Sequence, residues 1–395
     1  MASPSVPNSV PAIGVRTLPF YLGGFLGPFG TMIIVAMLPE LREQFDVDSA
    51  TISWAFSAYL FPMAALLLVS GTIGERFGRR LVLRISLSGY IAASVLASLA
   101  PTLGMFLFAR AVQGVGNAFI TPLLIAGLAE ITPPAQLGKR LGVYGSFQAA
   151  GGGLAPFAGG LAAAVDWRLA FWATALVTVF IVTFVPPGAR RAGADRPPIR
   201  PLLGRRLLVL GVGTFAAAAG PIGAAILVGL KTRDVLVMDA ASAGFLLAGG
   251  NLAATLLAPA FGRVLDRFGP RACGLFATSV VSLLVAALGF VGTTAATAVL
   301  YAAAGALFGF VVLVVQQVGA SIVPENRGGA LSAILSFRFM GHAVGPLLWV
   351  PVFEASERAA FLGAAALGLL TVLAVLVAIP RREQDAGAIP AASAV

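Results

Sequence analysis

The sequence predicts an all-α integral membrane protein: twelve transmembrane helices arranged as two pseudo-symmetric six-helix bundles. Three observations lead there. Of the 395 residues, 58% are hydrophobic and 11% charged, a balance that would leave the surface of a water-soluble protein largely apolar. The apolar residues gather into runs of roughly twenty, the length a helix needs to cross a hydrocarbon core about 30 Å thick with its backbone N–H and C=O groups bonded inside the segment. The second half then repeats the first. GTIGERFGRR at 71–80 returns 191 residues later as GRVLDRFGPR at 262–271, Pro133 meets Pro324 at the same offset, and Pro156 meets Pro346 at 190. A duplicated six-helix unit is the simplest account, and transporter folds with substrate sites between repeats are commonly built so.

Taken in order, the polar start 1–17 carries Arg16 just before a run too long for a signal h-region, so no cleaved signal peptide is expected. Spans are expected at 18–39, 53–73, 82–99, 104–128, 141–165 and 168–185, then at 207–230, 241–262, 272–292, 298–323, 331–352 and 359–379. Between them, PPGARRAGADRPPIRPLLGRR at 186–206 has the prolines, glycines and arginines of a water-exposed linker. The expected organisation is an N-terminal bundle (1–186), a cytoplasmic linker (187–206), a C-terminal bundle (207–380) and a cytoplasmic tail (381–395).

Counted over alternate loops, nineteen of the Lys and Arg residues fall on the side of the termini and five on the other, with Arg110 and Arg338 inside spans. Cytoplasmic loops retain such an excess, so both termini are placed in the cytoplasm. Because the +10 charge sits in short clusters between apolar runs, it points to topology and against nucleic acid as a partner. A single cysteine, Cys273, and a single histidine, His342, exclude an internal disulfide and a His- or Cys-rich metal site. No metal and no cofactor is expected. No G-x-x-x-x-G-K-[ST] loop is present, and Gly211 and Gly213 lie inside span seven with no strand before them, which argues against nucleotide-driven or dinucleotide chemistry. HExxH, GxSxG and paired mid-membrane aspartates are absent as well, so an enzyme is not expected.

The repeated loop has the form G-x-x-x-[DE]-R-x-G-x-R: Gly71, Glu75, Arg76, Gly78 and Arg80 first, then Gly262, Asp266, Arg267, Gly269 and Arg271. Glycines let helix ends approach, and an acid beside arginines pairs with them or with a helix N-terminus. Span four carries RAVQGVGNA at 110–118, which puts Arg110, Gln113 and Asn117 on one helix face. That face is costly toward lipid and is expected to line a central cavity. Span five contains GGGLAPFAGG at 151–160, with Gly151, Ala155, Pro156, Gly159 and Gly160. It reads either as a bend, through the carbonyl its proline frees, or as a small-residue packing seam; Gly345 and Pro346 form its echo in span eleven.

With SWAFSAYL, DWRLAFW and FRFMGHAVGP, these motifs resemble the twelve-helix drug/proton antiporter branch of the major facilitator superfamily over nearly the whole chain. The resemblance implies secondary active transport across the bacterial inner membrane by a monomer, with the repeated loops as conformational gates and a proton as coupling ion. One departure stands out. Many such antiporters carry an acid in span one, where FGTMIIVAMLP at 29–39 has Gly30, and all sixteen acidic residues here lie at span ends, in loops or in tails. The interior ionisable groups are Arg110, Arg338 and His342. His342 suits a proton relay or else simply packs a helix interface; Arg338 either bonds span-end groups or meets substrate. Further polar candidates for the pathway are Tyr59, Gln148, Asn251, Gln316 and Gln317. The small-molecule substrate is expected to be a drug or another amphipathic compound, exported with proton coupling; the alternative is one dedicated metabolite, such as an organic anion, favoured by the basic interior.

Overall fold

The computed structural model describes residues 17–184 and 200–379. Residues 1–16, most of the expected linker (187–199) and the expected tail at 381–395 lie outside them. The first span is α1 (Leu18–Met32), a 3-10 turn (Val35–Met37) and α2 (Leu38–Phe45). Then follow α3 (Ser49–Phe77), α4 (Arg79–Leu99), α5 (Leu103–Glu130), α6 (Pro134–Ala163) and α7 (Arg168–Phe184). In the second half, α8 (Arg205–Ala219), a 3-10 turn (Ile222–Ala224) and α9 (Ala225–Leu230) form span seven. The eighth and ninth spans lie in α10 (Ala240–Leu288), and α11 (Thr294–Ile322), α12 (Arg327–Ala355) and α13 (Glu357–Ala378) complete the set. No strand occurs among the described residues.

Helix starts repeat with the sequence. Asp48 caps α3 by accepting the Thr51 N–H at 2.6 Å and Asp239 caps α10 by accepting the Ser242 N–H at 2.9 Å. Thr102 and Thr293 cap α5 and α11 in the same way. Each pair is 191 residues apart, the offset of the loops. An N-cap oxygen satisfies one of the orphan amides of a first turn. The bonds from Thr51 and Ser242 hold both aspartate carboxyls below their usual value.

One expectation about spans is met and one is corrected. Spans eight and nine are two helices, as expected: they meet within α10 at a kink where Gly269 alone leaves helical backbone (φ 76°). Its counterpart Gly78 (φ 93°) separates α3 from α4. No other described glycine has positive φ. A side chain would be strained at either corner. Spans one and seven were expected to be continuous, yet both break near mid-length. The carbonyls released there find side-chain donors: Gly30 O accepts from Arg110 at 2.9 Å and Ala219 O from the Trp349 indole at 2.8 Å. That satisfies backbone groups which lipid could not.

Within the first half α1 packs on α6, α3 on α5 and α4 on α7; within the second the counterparts are α8 on α12, and α10 on both α11 and α13. The halves meet through α3 with α12 and α6 with α10. These two contacts exchange under the internal repeat, so the interface has the pseudo-twofold symmetry that the sequence predicts.

Candidate transport pathway and its two ends

At the end away from the repeated loops, charge ties the halves together. Arg42 of α2 meets Asp234, in the π-turn after α9 (Lys231–Val235), through parallel bonds of 3.0 and 3.1 Å. Arg233 of the same turn pairs with Glu40 of α2. Arg42 and Arg233 are 191 residues apart, so the arrangement is reciprocal, each half contributing one acid and one base. Glu354 of α12 adds a third tie by accepting the N–H groups of Ser49 (3.0 Å) and Ala50 (3.3 Å) at the start of α3, where the helix dipole favours a carboxylate. Sequence reasoning singled out none of these residues. The one signal available was the 191-residue offset, which sets Arg42 of one short loop opposite Arg233 of the other.

Deeper in, the Ser57 hydroxyl donates to Ala343 O and the Ser336 hydroxyl to Ala64 O, both at 2.6 Å. The bonded seam along α3 therefore extends from Ser49 to Ala64, about 22 Å at the rise of an α-helix. Below it, the two repeated loops are unlinked among the described residues. Arg76, Arg80, Asp266 and Arg267 are exposed, and among the described residues they bond nothing in the opposite half. Arg76 and Arg267 instead lie over their own neighbours, Phe77 at 5.6 Å and Phe268 at 5.3 Å. Arg271 donates to Leu376 O at 3.2 Å and to Ile379 O, and Arg79 pairs with Glu130 at 3.2 Å, in each case within one half. The side chain of Glu75 lies outside what the structure describes. The expectation that Gly71 and Gly262 bring helix ends together is corrected: among the described residues, a Cβ at either would meet nothing within 4 Å.

The span-four face also departs from expectation. Arg110, Gln113 and Asn117 are at most 1% exposed and lie inside the N-terminal half instead of lining an open cavity. Arg110 donates to Ala55 O (3.1 Å), Gly30 O (2.9 Å) and Gln113 Oε1 (2.7 Å), and its guanidinium lies 4.4 Å from the centre of the Tyr59 ring. Gln113 passes the chain on to the Ser94 hydroxyl at 2.8 Å, and Asn117 donates to the Met63 sulfur at 3.3 Å. The reason is the break in span one: its free carbonyl attracts the arginine inward, and a guanidinium with this many partners is satisfied without a carboxylate. At Gly30 a Cβ would fall 2.1 Å from the Tyr90 hydroxyl, so tyrosine occupies the space an acid would need.

Arg338 is different. Its Nε is buried with no hydrogen-bond partner, and its guanidinium lies 4.9 Å from the Phe339 ring. It lines a small cavity with Thr214, Val311, Val315, Gln316 and Ile334, between α8, α11 and α12. His342 lies one turn along α12, its Nδ1 3.9 Å from where a Cβ on Gly223 would stand, against the break in span seven. Gln317 is exposed and Gln148 partly buried, and neither forms a hydrogen bond among the described residues.

The span-five motif is a seam. A Cβ on Gly151 or Gly159 would lie 2.2 Å from Phe25 O or 2.0 Å from Ile33 O, and one on Gly160 would lie 2.1 Å from Ala240 O. The motif thus lets α6 touch α1 within its half and α10 across the interface, while Ala155 is buried between. Pro156 has no N–H to offer Gly152 O, and Asn251 of the opposite half donates to that carbonyl at 3.2 Å. Despite Pro156, α6 continues as one helix. In α12, which likewise runs through Pro346, Gly345 lets the helix approach Ala219 O.

The profile of the Major Facilitator Superfamily matches residues 20–346 and 207–394. The chain belongs to this family. A puromycin resistance protein of Streptomyces alboniger is 32% identical over 219 residues, which take in 53% of this chain but only 43% of that protein. A lincomycin resistance protein of Listeria monocytogenes is 25% identical over 415 residues, covering 87% of this chain and 88% of the other. Among solved structures, the nucleoside transporter NupG superposes with a TM-score of 0.76 at 13% identity, covering 92% of this chain and 100% of that one. The human organic anion transporter MFSD10 gives 0.66 at 18% identity, covering 91% and 99%. These two share the major facilitator fold. As a member of the superfamily, the protein is a multi-pass membrane transporter.

Proposed function

We propose that the protein exports amphipathic small molecules by proton-coupled alternating access, as a monomer in the bacterial inner membrane with both termini in the cytoplasm. The observation that carries this reading is the asymmetry of the two ends. Reciprocal ion pairs close one, while the repeated loops at the other hold charged residues with no partner across the interface. A transporter that exposes its centre to one side at a time needs two such gates, engaged in turn. In this reading the loops are cytoplasmic, residues 187–206 join two six-helix domains, and the state described faces inward. Glu75, Arg76, Asp266 and Arg267 would engage when the transporter faces outward.

The two relatives named for antibiotic resistance favour drugs as cargo. For proton coupling no carboxylate stands near the middle of a described span, which leaves His342, beside the break in span seven, as the candidate carrier. The test is collapse of a pH gradient in proteoliposomes on addition of lipophilic cations, neutral drugs or organic anions, with His342→Ala beside the parent protein. Dissipation that disappears in the variant supports the reading; dissipation unchanged in the variant removes His342 from it. Absence of any response to every class removes proton coupling. A second reading, a dedicated carrier of one anionic metabolite, is favoured by the unpartnered Arg338, and a response to anions alone would select it.

A further inference from the structure

The gate residues of the second half, Arg233 and Asp234, stand on a five-residue π-turn (Lys231–Val235), a rare form that recurs at functional sites. The first residue of that turn faces the other way. Lys231 is 1% exposed, and its ammonium donates to Leu288 O at 2.9 Å, to Val291 O at 2.7 Å and to the Glu357 carboxylate. Three donors meet three acceptors, so this cation has nothing left to offer a substrate or a transported ion. All its partners belong to its own half: Leu288 ends α10, Val291 follows it, and Glu357 opens α13, with the Phe361 ring 5.7 Å away. None of these contacts crosses the interface.

Past the turn the backbone is held in an unfavourable shape. Val237 has φ 51°, as does Asp46, 191 residues earlier, and no other described non-glycine residue has positive φ. Aspartate tolerates that region, whereas a β-branched side chain is strained in it. Such strain persists only where the surroundings over-determine the chain. Here they do: the Leu236 N–H donates to Lys231 O and the Met238 N–H to Thr232 O, both at 2.9 Å, Arg233 donates to Met238 O at 3.1 Å, and Asp239 caps α10. Lys231 pins the other end. The halves have diverged at this point, since 191 residues before Lys231 stands Glu40, which reaches across to Arg233 instead of back into its own half.

Ion pairs as exposed as those of the gate gain little unless their side chains are ordered beforehand, because ordering each one costs free energy at the moment of contact. We propose that Lys231 is a positioning residue of this gate: it fixes the Lys231–Val235 turn to the ends of spans nine and twelve, so that Arg233 and Asp234 are already placed when Glu40 and Arg42 arrive. The proposal rests on reading the ion pairs as a gate, and gives a function to a buried lysine that touches nothing across the interface.

The test uses the full chain in nanodiscs and reads the ratio of inward- to outward-facing molecules from distances between spin labels, none of them on the turn. Lys231→Met keeps the length of the side chain and removes its charge. It should lower the ratio by about three- to tenfold, the scale of ordering one side chain afresh. In the Arg42→Gln, Arg233→Gln background the same substitution should change the ratio by less than about twofold, because no pair remains to be positioned. A merely structural role would not depend on the gate arginines in this way. Glu357→Gln, which keeps the lysine and both carbonyls, should act in the same direction by a few-fold and serves as the independent variant should Lys231→Met fail to fold. A nitroxide at Val235, which is exposed, should be ordered in the parent protein and mobile in either variant.

An equal shift with and without the gate arginines, or a label at Val235 that stays ordered in both variants, would overturn the proposal. If the double arginine variant shifts the ratio while Lys231→Met and Glu357→Gln leave it unchanged, the gate stands and only the role of Lys231 falls. If the double arginine variant itself leaves the ratio unchanged, the gate reading fails and takes this proposal with it.

Discussion

The two halves share a frame and differ in what they bury. Helix caps at Asp48 and Asp239, corner glycines at Gly78 and Gly269, and the arginine–phenylalanine stacks Arg76–Phe77 and Arg267–Phe268 all recur at one offset. In the N-terminal half, Tyr59 and Arg110 stack in the centre. Their counterparts 191 residues on are Gly250 and Tyr301, and there the tyrosine ring fills the room that the glycine leaves. The first half thus devotes its interior arginine to holding a broken helix. The second half fills the same place with a ring and carries its arginine elsewhere, on α12, with nothing bound to the buried Nε. Duplicated structure constrains corners and caps, where backbone geometry leaves few options, and leaves interior side chains free to diverge in role.

The largest expected effect breaks this comparison directly. Arg110→Leu would strip donors from Ala55 O, Gly30 O and Gln113, all buried, and should cost about 2–4 kcal/mol of stability. Arg338→Leu removes a group whose Nε is already unsatisfied, and should be neutral or stabilising by about 1 kcal/mol. Equilibrium unfolding of both variants in mixed micelles reads the difference. Equal losses would mean that the two arginines do the same work and would erase the distinction between the halves.

Next in size are the reciprocal ion pairs. The charged side chains are between 13% and 29% exposed, so each pair is worth up to about 1 kcal/mol. The double variant Arg42→Gln with Arg233→Gln, which takes one base from each half, should shift the ratio of inward- to outward-facing molecules by about five- to thirtyfold. Distances between spin labels placed at the two ends would measure it. If one single variant accounts for the whole shift, the reciprocity is structural only.

How far the sequence foretold this depends on the range of the interaction concerned. Span count and the corner glycines were legible because each is written in a short continuous stretch, and the duplication because such stretches return at one offset. Helical spacing correctly put Arg110, Gln113 and Asn117 on one face, but spacing does not say what that face meets. What they meet follows from the break in span one, and Gly27, Pro28 and Gly30 weaken the run at 18–39 without fixing where it breaks. As lone arginines in apolar runs, Arg110 and Arg338 look alike in sequence, and only their partners tell them apart. The closing ion pairs join residues nearly two hundred positions apart, where local pattern carries no information about register.

A smaller effect concerns Asn251, which serves the carbonyl that Pro156 leaves free across the interface. Asn251→Leu should cost the closed arrangement about 1 kcal/mol, seen with the same labels as a several-fold loss of the inward-facing population. An unchanged population would mean that water replaces the amide.

The smallest effect tests whether the shared frame is energetically equivalent in the two halves. Asp48 and Asp239 cap α3 and α10, and hydrogen bonds hold both carboxyls below the usual 3.8. A carboxyl depressed in the folded state contributes stability that is fully present above its unfolded value and is lost as pH falls through the folded one. The contribution is therefore constant above about pH 4 and declines only below that. Asparagine also caps helices but does not titrate in this range, so Asp48→Asn and Asp239→Asn should each flatten part of the acid limb of stability and leave neutral pH nearly unchanged. Because both caps are exposed, the changes will be small, and it is their equality that matters. If one variant flattens the limb and the other leaves it intact, the caps match in geometry alone, and the divergence seen at Arg110 and Arg338 extends to the frame.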